Sequence, residues 1–177
     1  MIGLARGTVK LVPFQRTWKD LFEKEVARLR SVMKRDALCI EHIGSTAIEG
    51  MCAKPIIDLV LTVEDLEMAK VYIPTLEKLG YEFRPDNEPP DRLFFAKGAP
   101  ECRTHHLSLT EQDSQFFREK ILFRDYLRQN PTAFEEYKNL KSELAAQFAD
   151  KRESYTEGKA GFVREILLLA ESRLEKK

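Results

Sequence analysis

One run, Ile56-Ile57-Asp58-Leu59-Val60-Leu61-Thr62-Val63, constrains this chain more than any other. It is rich in β-branched and apolar residues, so it reads as a strand. Side chains alternate along a strand. Ile57, Leu59, Leu61 and Val63 therefore share one face, and Ile56, Asp58, Val60 and Thr62 share the other. The first face is uniformly apolar and is expected to pack on helices. The second carries Asp58 and Thr62 and is expected to face a groove. An ionised carboxylate in such a run is costly unless it is paired, metal-bound or turned to a cleft.

The residues before this run set up its other half. Leu38 to Ile43 is apolar and strand-like, the chain breaks at Gly44-Ser45-Thr46, and it turns through Gly50 and Pro55. Small residues and hydroxyls at a break let backbone N–H groups approach an anion. Taken alone, such a tripeptide is most often only a turn with a capping hydroxyl.

The whole block from Glu41 to Val63, EHIGSTAIEGMCAKPIIDLVLTV, resembles the signature of the GrpB family of bacterial proteins. Further matches lie at His105-His106-Leu107, at Phe123-Arg124-Asp125-Tyr126-Leu127-Arg128, and at Tyr155 with Lys159. The resemblance covers nearly the whole chain. It implies a nucleotidyltransferase-like fold, in which a Gly-Ser turn follows one strand and paired carboxylates on the next hold Mg²⁺ on a nucleoside triphosphate. The family also occurs fused to dephospho-CoA kinase, which implies a nucleotide- or CoA-linked context.

Carried onto this sequence, the resemblance places Gly44, Ser45 and Thr46 on phosphate and makes Asp58 the catalytic carboxylate and Mg²⁺ ligand. Lys54, Arg103 and His106 would line the rim. Glu41 or His42, at the end of the preceding strand and on opposite faces of it, would supply a ligand or a proton acceptor. Tyr155 and Lys159, one helical turn apart, would offer a ring and an ammonium to a base and phosphate. Two departures stand out. The next residue on the Asp58 face is Val60 rather than an acid, and Ser108 stands where relatives look to have a second histidine. A two-metal site needs carboxylates that bridge both ions. The missing partner therefore weakens nucleotidyl transfer more than nucleotide binding. A catalytically inactive binding or folding-assistance module is the competing reading. A metal-dependent hydrolase on His42, His105 and His106 is another, although Cys102, His105 and His106 do not have a usual zinc spacing.

The remaining chain supports an α/β (α+β) class: a mixed β-sheet flanked by helices over 1–112, and a helical region over 113–177 packed on it. Val9 to Phe14 reads as a short edge strand, and Thr17 as a hydroxyl cap opening a helix with Trp18, Leu21, Phe22, Val26 and Leu29 at helical spacing. A second helix opens at Glu64-Asp65, is interrupted by Pro74 and stops at Gly80. Tyr81 to Arg84 is strand-like, Pro85 to Asp91 is a three-proline loop expected to be mobile, and Leu93 to Leu109 reads as a hairpin. Helices follow, one ending at Asn130-Pro131, the next carrying Phe134, Tyr137, Leu140, Leu144 and Phe148, and a last one running from about Tyr155 to Leu174. Arg118, Lys120, Arg124 and Arg128 line one of them as a possible basic rim.

At 177 residues, with 43% hydrophobic and 33% charged residues, the composition is that of an ordinary globular protein. Lys plus Arg balances Asp plus Glu at 29 each, so no global basic field marks a nucleic-acid or membrane-surface protein. Three cysteines without a Cys-x-x-Cys point to reduced thiols and a cytoplasmic setting. Met1 to Lys10 lacks the apolar core of a secretory signal. No window approaches the roughly 18 apolar residues of a membrane span.

Overall fold

The computed structural model describes residues 2–85 and 91–174. The mobile loop expected over Pro85 to Asp91 lies, for residues 86–90, outside them. The sheet has five strands: β1 (Cys39–Ile43), β2 (Ile57–Val63), β3 (Tyr81–Phe83), β4 (Leu93–Lys97) and β5 (His105–Glu111). Their spatial order is β1-β2-β5-β4-β3. Only the central β2–β5 pair is parallel; the three other pairs are antiparallel, so the sheet is mixed.

The alternation read from the sequence sets the two faces. Ile57, Leu59, Leu61 and Val63 join Leu93, Phe95, Leu107 and Leu109 in the main core. That face is covered by α1 (Thr17–Met33), α2 (Leu66–Ala69) and α3 (Ile73–Lys78), which contribute Trp18, Leu29, Met33, Ala69 and Leu76. Trp18 is fully buried, and truncating such a side chain costs about 3–5 kcal/mol. Glu25 is buried on the same face, held by Lys97 at 2.5 Å and the Tyr81 hydroxyl at 2.9 Å. A buried carboxylate persists because both partners answer it.

The opposite face carries Asp58, Val60 and Thr62 in line with His106, Ser108 and Thr110. The four C-terminal helices stand on this side: α4 (Gln115–Gln129), α5 (Pro131–Gln147), α6 (Arg152–Gly158) and α7 (Ala160–Leu174). Ile48 and Met51, from the loop between β1 and β2, share a buried cluster with Leu127, Ala133, Tyr137 and Ile166 of these helices. Val60 and Thr62 are fully buried, so this face opens only at its Asp58 end.

Local readings differ from the structure at five places. Val9 to Phe14 forms no strand; it makes one isolated bridge, Val12 with Ala53. Thr17 is the first helical residue rather than a cap, and Arg16 before it makes no side-chain capping bond. The helix opened by Asp65 breaks into α2, a 3₁₀ turn and α3, with Pro74 in the first turn of α3, where its missing N–H costs nothing. Asn130 holds the N-cap position of α5 ahead of Pro131 but makes no side-chain capping bond; its amide donates instead to the Tyr126 carbonyl and closes the end of α4. The last helix is two, α6 ending at Gly158 and α7 opening at Ala160; Gly158 packs against Leu144 so closely that a Cβ there would lie 2.6 Å from Cδ2.

Candidate functional site

Three backbone positions bring the functional side chains together. Ile43, Asp58 and His106 are directly opposed across β1, β2 and β5. Just beyond Ile43, Gly44 turns the chain with φ +69°, a conformation that L side chains rarely adopt. A Cβ at residue 44 would also lie 2.6 Å from Asp58 Oδ2. The turn therefore needs glycine twice over, once for its φ and once for its closeness to the carboxylate. The 3₁₀ turn Ser45–Ala47 follows.

Asp58 is held and polarised. A carboxylate can only accept, so His106 Nδ1–H must be the donor to Asp58 Oδ1, at 3.0 Å. The His106 ring tilts against Phe94 at 5.3 Å. Burial pushes the Asp58 carboxyl up, but the hydrogen bond and charge of His106, with the charges of Lys54 and His42, outweigh it and hold the group below its ordinary value.

Asp58 and His106 open into a cleft of about 350 Å³ between the sheet and the C-terminal helices. Six cationic side chains line it: Lys54, Arg92, Lys120, Lys141, Arg152 and Lys159. Lys54 is fixed from two sides, by the Val12–Ala53 bridge before it and the Ile56 N–H to Lys54 carbonyl bond at 2.7 Å after it. Lys141 is buried on α5, over the Tyr137 ring, and donates to the Cys52 carbonyl. Lys159 lies 4.2 Å and Lys54 5.7 Å from the centre of the Tyr155 ring. On another part of the lining, Arg92 stacks on Phe116 at 4.1 Å and Lys120 at 5.1 Å.

Among the described residues, none of Lys54, Lys120, Lys141, Arg152 and Lys159 makes an ion pair; only Arg92 does, with Asp91. The crowding shows in their acidity. Burial drives Lys54 down to about 8, with Arg152 adding to the drop. Burial likewise takes Lys141 to about 8. Lys159 falls to about 7 through burial and the charges of Lys54 and Lys141. Lys120 is lowered by burial and by Arg92. Ser45 also lines the cleft, beside Tyr137, whose phenol burial pushes up to about 12.

The structure thus gathers Asp58, His106, Gly44, Ser45, Thr46, Lys54, Tyr155 and Lys159 at one cleft. It separates three other candidates. Glu41 is on the Asp58 face but opposite Val60, and Arg124 takes it at 2.6 Å. His42 points to the other face, stacked on Phe22 and hydrogen-bonded to Thr46 at 2.9 Å. Burial lowers its pKa to about 4. Arg103 is buried away from the cleft, binding Glu82 and the Gly98 carbonyl. Of the basic rim on α4 only Lys120 turns in; Arg124 and Arg128 go to Glu41, Asp125 and backbone carbonyls.

The Mg²⁺ implied by the fold resemblance can be tested against these donors. Mg²⁺ is held by one or two carboxylates plus substrate phosphates in near-octahedral geometry. Here, among the described residues, Asp58 is the one carboxylate lining the cleft, with one oxygen bonded to His106 and the other against Gly44. Among the described residues no group of three His, Cys, Asp or Glu is placed to hold a metal ion, at this cleft or at Cys102, His105 and His106. His105 lies on the opposite face from His106, so the three-histidine arrangement is also separated. The donor set does not fit a dedicated Mg²⁺ site.

A family model described as GrpB protein matches residues 8–168. The chain belongs to the GrpB family. The glutamate-rich protein GrpB of Alkalihalophilus pseudofirmus is 37% identical over 171 residues, covering 94% of this chain and 98% of that protein. The UPF0157 protein YqkA of Bacillus subtilis is 36% identical over 156 residues; the match covers 88% of this chain but spans less than half, 45%, of that relative. The crystal structure of the conserved protein GrpB from Enterococcus faecalis has the same fold, with a TM-score of 0.86 at 32% identity, covering 93% of this chain and 99% of that one. Among the described residues no helix is long and apolar enough to cross a membrane.

Proposed function

We propose that this GrpB-family protein binds a phosphorylated small molecule, a nucleotide or a CoA-like derivative of one, in the cleft at Asp58. The convergence of six cations on one cleft, five of them without an ion-pair partner among the described residues, carries this reading. Buried or half-buried ammonium groups are costly when left unanswered, and a phosphate is the ligand that answers several at once. The Gly44-Ser45-Thr46 turn borders the same space and offers N–H and hydroxyl donors to the same oxygens. Phe94 and Phe116, both partly exposed, offer ring surface to a base.

Nucleotidyl transfer with magnesium, the finer reading that the fold resemblance implies, finds weaker support. Phosphoryl chemistry is mostly positioning and charge stabilisation, which the cations supply. The bridging carboxylates do not assemble, since Glu41 is taken by Arg124 and Val60 replaces an acid. The reading therefore rests on binding. Calorimetric titration of the intact protein with ATP, CTP, GTP and CoA, with and without magnesium, tests it. At least one saturable isotherm is expected, weakened about tenfold in Lys159→Met, the loss of one charge-assisted contact. Flat heats for every compound would sink the proposal.

A further inference from the structure

The arrangement of charge within the cleft says more about the ligand than that it is anionic. We infer that the site takes a polyphosphate chain, with at least three negative charges, and takes it free of divalent metal, the protein's own cations standing where magnesium would be. The inference rests on the phosphate-binding reading above and narrows its ligand.

The cations of the cleft gather in two groups at two aromatic anchors, Tyr155 and Phe116. Lys54, Lys141, Lys159 and Arg152 form one, around the Tyr155 end. Arg92 and Lys120 form the other, on Phe116. Each group interacts electrostatically with Asp58, and Lys120 of the second also feels Lys159 of the first. A single phosphate would satisfy one group and leave the other exposed to its own repulsion. A chain of phosphates running past His106 would meet both. His106 lines this path, with Nδ1 committed to Asp58 and no hydrogen bond on Nε2 among the described residues.

Charge balance then disfavours the metal complex. Magnesium bound to a triphosphate cancels much of the charge that six cations are placed to attract. The dication would also meet one carboxylate among those cations, already bonded to His106. In a metal site Asp58 is the anchor. In a metal-free polyphosphate site it is, among the described lining residues, the one group that repels the ligand, retained because it orients His106 and offsets the lysines. The two arrangements predict opposite effects of removing its charge.

The test uses the full-length protein, sodium tripolyphosphate and ATP, titrated by calorimetry in EDTA and in excess magnesium at matched ionic strength. Both ligands are expected to bind in EDTA, about tenfold more weakly when magnesium is added. Asp58→Asn keeps an oxygen to accept the His106 N–H and removes the charge; it is expected to tighten binding in EDTA by about threefold to tenfold. Far-ultraviolet dichroism and melting of the variant establish that it folds. Should it not fold, the wild-type comparison of EDTA with magnesium decides alone. Binding that requires magnesium, or that Asp58→Asn abolishes in a folded protein, overturns the inference while leaving the phosphate reading intact. No binding of either ligand under any condition overturns both.

Discussion

Two hollows flank the turn at Ser45–Ala47, and they treat charge in opposite ways. The larger, about 830 Å³, runs beside the edge strand β1 between α1 and the α4–α5 pair. Its principal cations are answered: Arg124 binds Glu41, Asp125 and the His42 carbonyl, and Arg128 binds Asp125 and the Ala47 carbonyl. The smaller, at Asp58, gathers six cations and one carboxylate among the described residues. Size alone would favour the first as a binding site. Charge accounting favours the second, because the first has already spent its polar groups on closing the β1 edge. Arginine on an edge-strand carbonyl is one way to keep an unpaired strand from pairing with another chain.

The contrast can be broken most directly at Arg124. Its side chain is only 9% exposed, while Glu41 and Asp125 are each 36% exposed and can return to water. Arg124→Met is therefore expected to cost about 2 kcal/mol, below the full penalty of a broken buried pair, and to lower the melting temperature by about 4–8 °C. Phosphate affinity should stay within about twofold. A variant that melts normally but loses affinity would place the functional charge in the wrong hollow.

Lys159 provides the reciprocal measurement. Lys159→Met removes an ammonium that has no ion-pair partner among the described residues and sits among like charges, so the ligand-free protein should melt no lower than the parent while its polyphosphate affinity falls about tenfold. A melting temperature that drops by several degrees would make Lys159 a structural residue and erase the distinction.

The smallest expected effect is a dependence of stability on pH. Lys159 faces Lys54, Lys141, Lys120, Asp58 and the Tyr155 ring, and burial with the neighbouring lysines lowers its pKa to about 7. Its folded pKa lies below the ordinary lysine value, so between about pH 7 and pH 10 the unfolded chain binds more protons. Stability should rise with pH across that window, as it also should for Lys54 and Lys141 from about 8 upward. Urea unfolding at a series of pH values reads the slope. Lys159→Met should flatten it, and saturating tripolyphosphate should reverse it by favouring the charged form. A slope that neither change touches would mean that these lysines are not the groups titrating.

Much of this was readable from the chain. The period-two pattern of Ile57, Leu59, Leu61 and Val63 set the core face, and it placed Asp58 on the other. The Gly44 turn and Asp58 do meet, as their order in the chain implied. Glu41 shows where reading by parity stops. Alternation gives a face but not the register between strands, and a two-residue offset put Glu41 opposite Val60, where Arg124 takes it, rather than opposite Asp58. Lys141 was visible and overlooked. It falls at a core position of the Phe134, Tyr137, Leu144, Phe148 spacing, and a lysine there must have a reason to be buried. Arg92 and Arg152 had no such signal, since nothing in their neighbours marks which way a surface arginine will turn. Gly158 looked like an ordinary residue of one long helix because its contact with Leu144 is tertiary.

The placement of the cations along the chain has a consequence for how the protein matures on the ribosome. Four of the six, Lys120, Lys141, Arg152 and Lys159, are encoded after residue 112, in helices that close over strands made earlier. A nascent chain holding the finished sheet would present Asp58 and His106 with Lys54 and Arg92 only. Ligand capture would then be among the last abilities acquired, and a polyphosphate added during synthesis would act as a brace for the final helices rather than as a seed for the sheet.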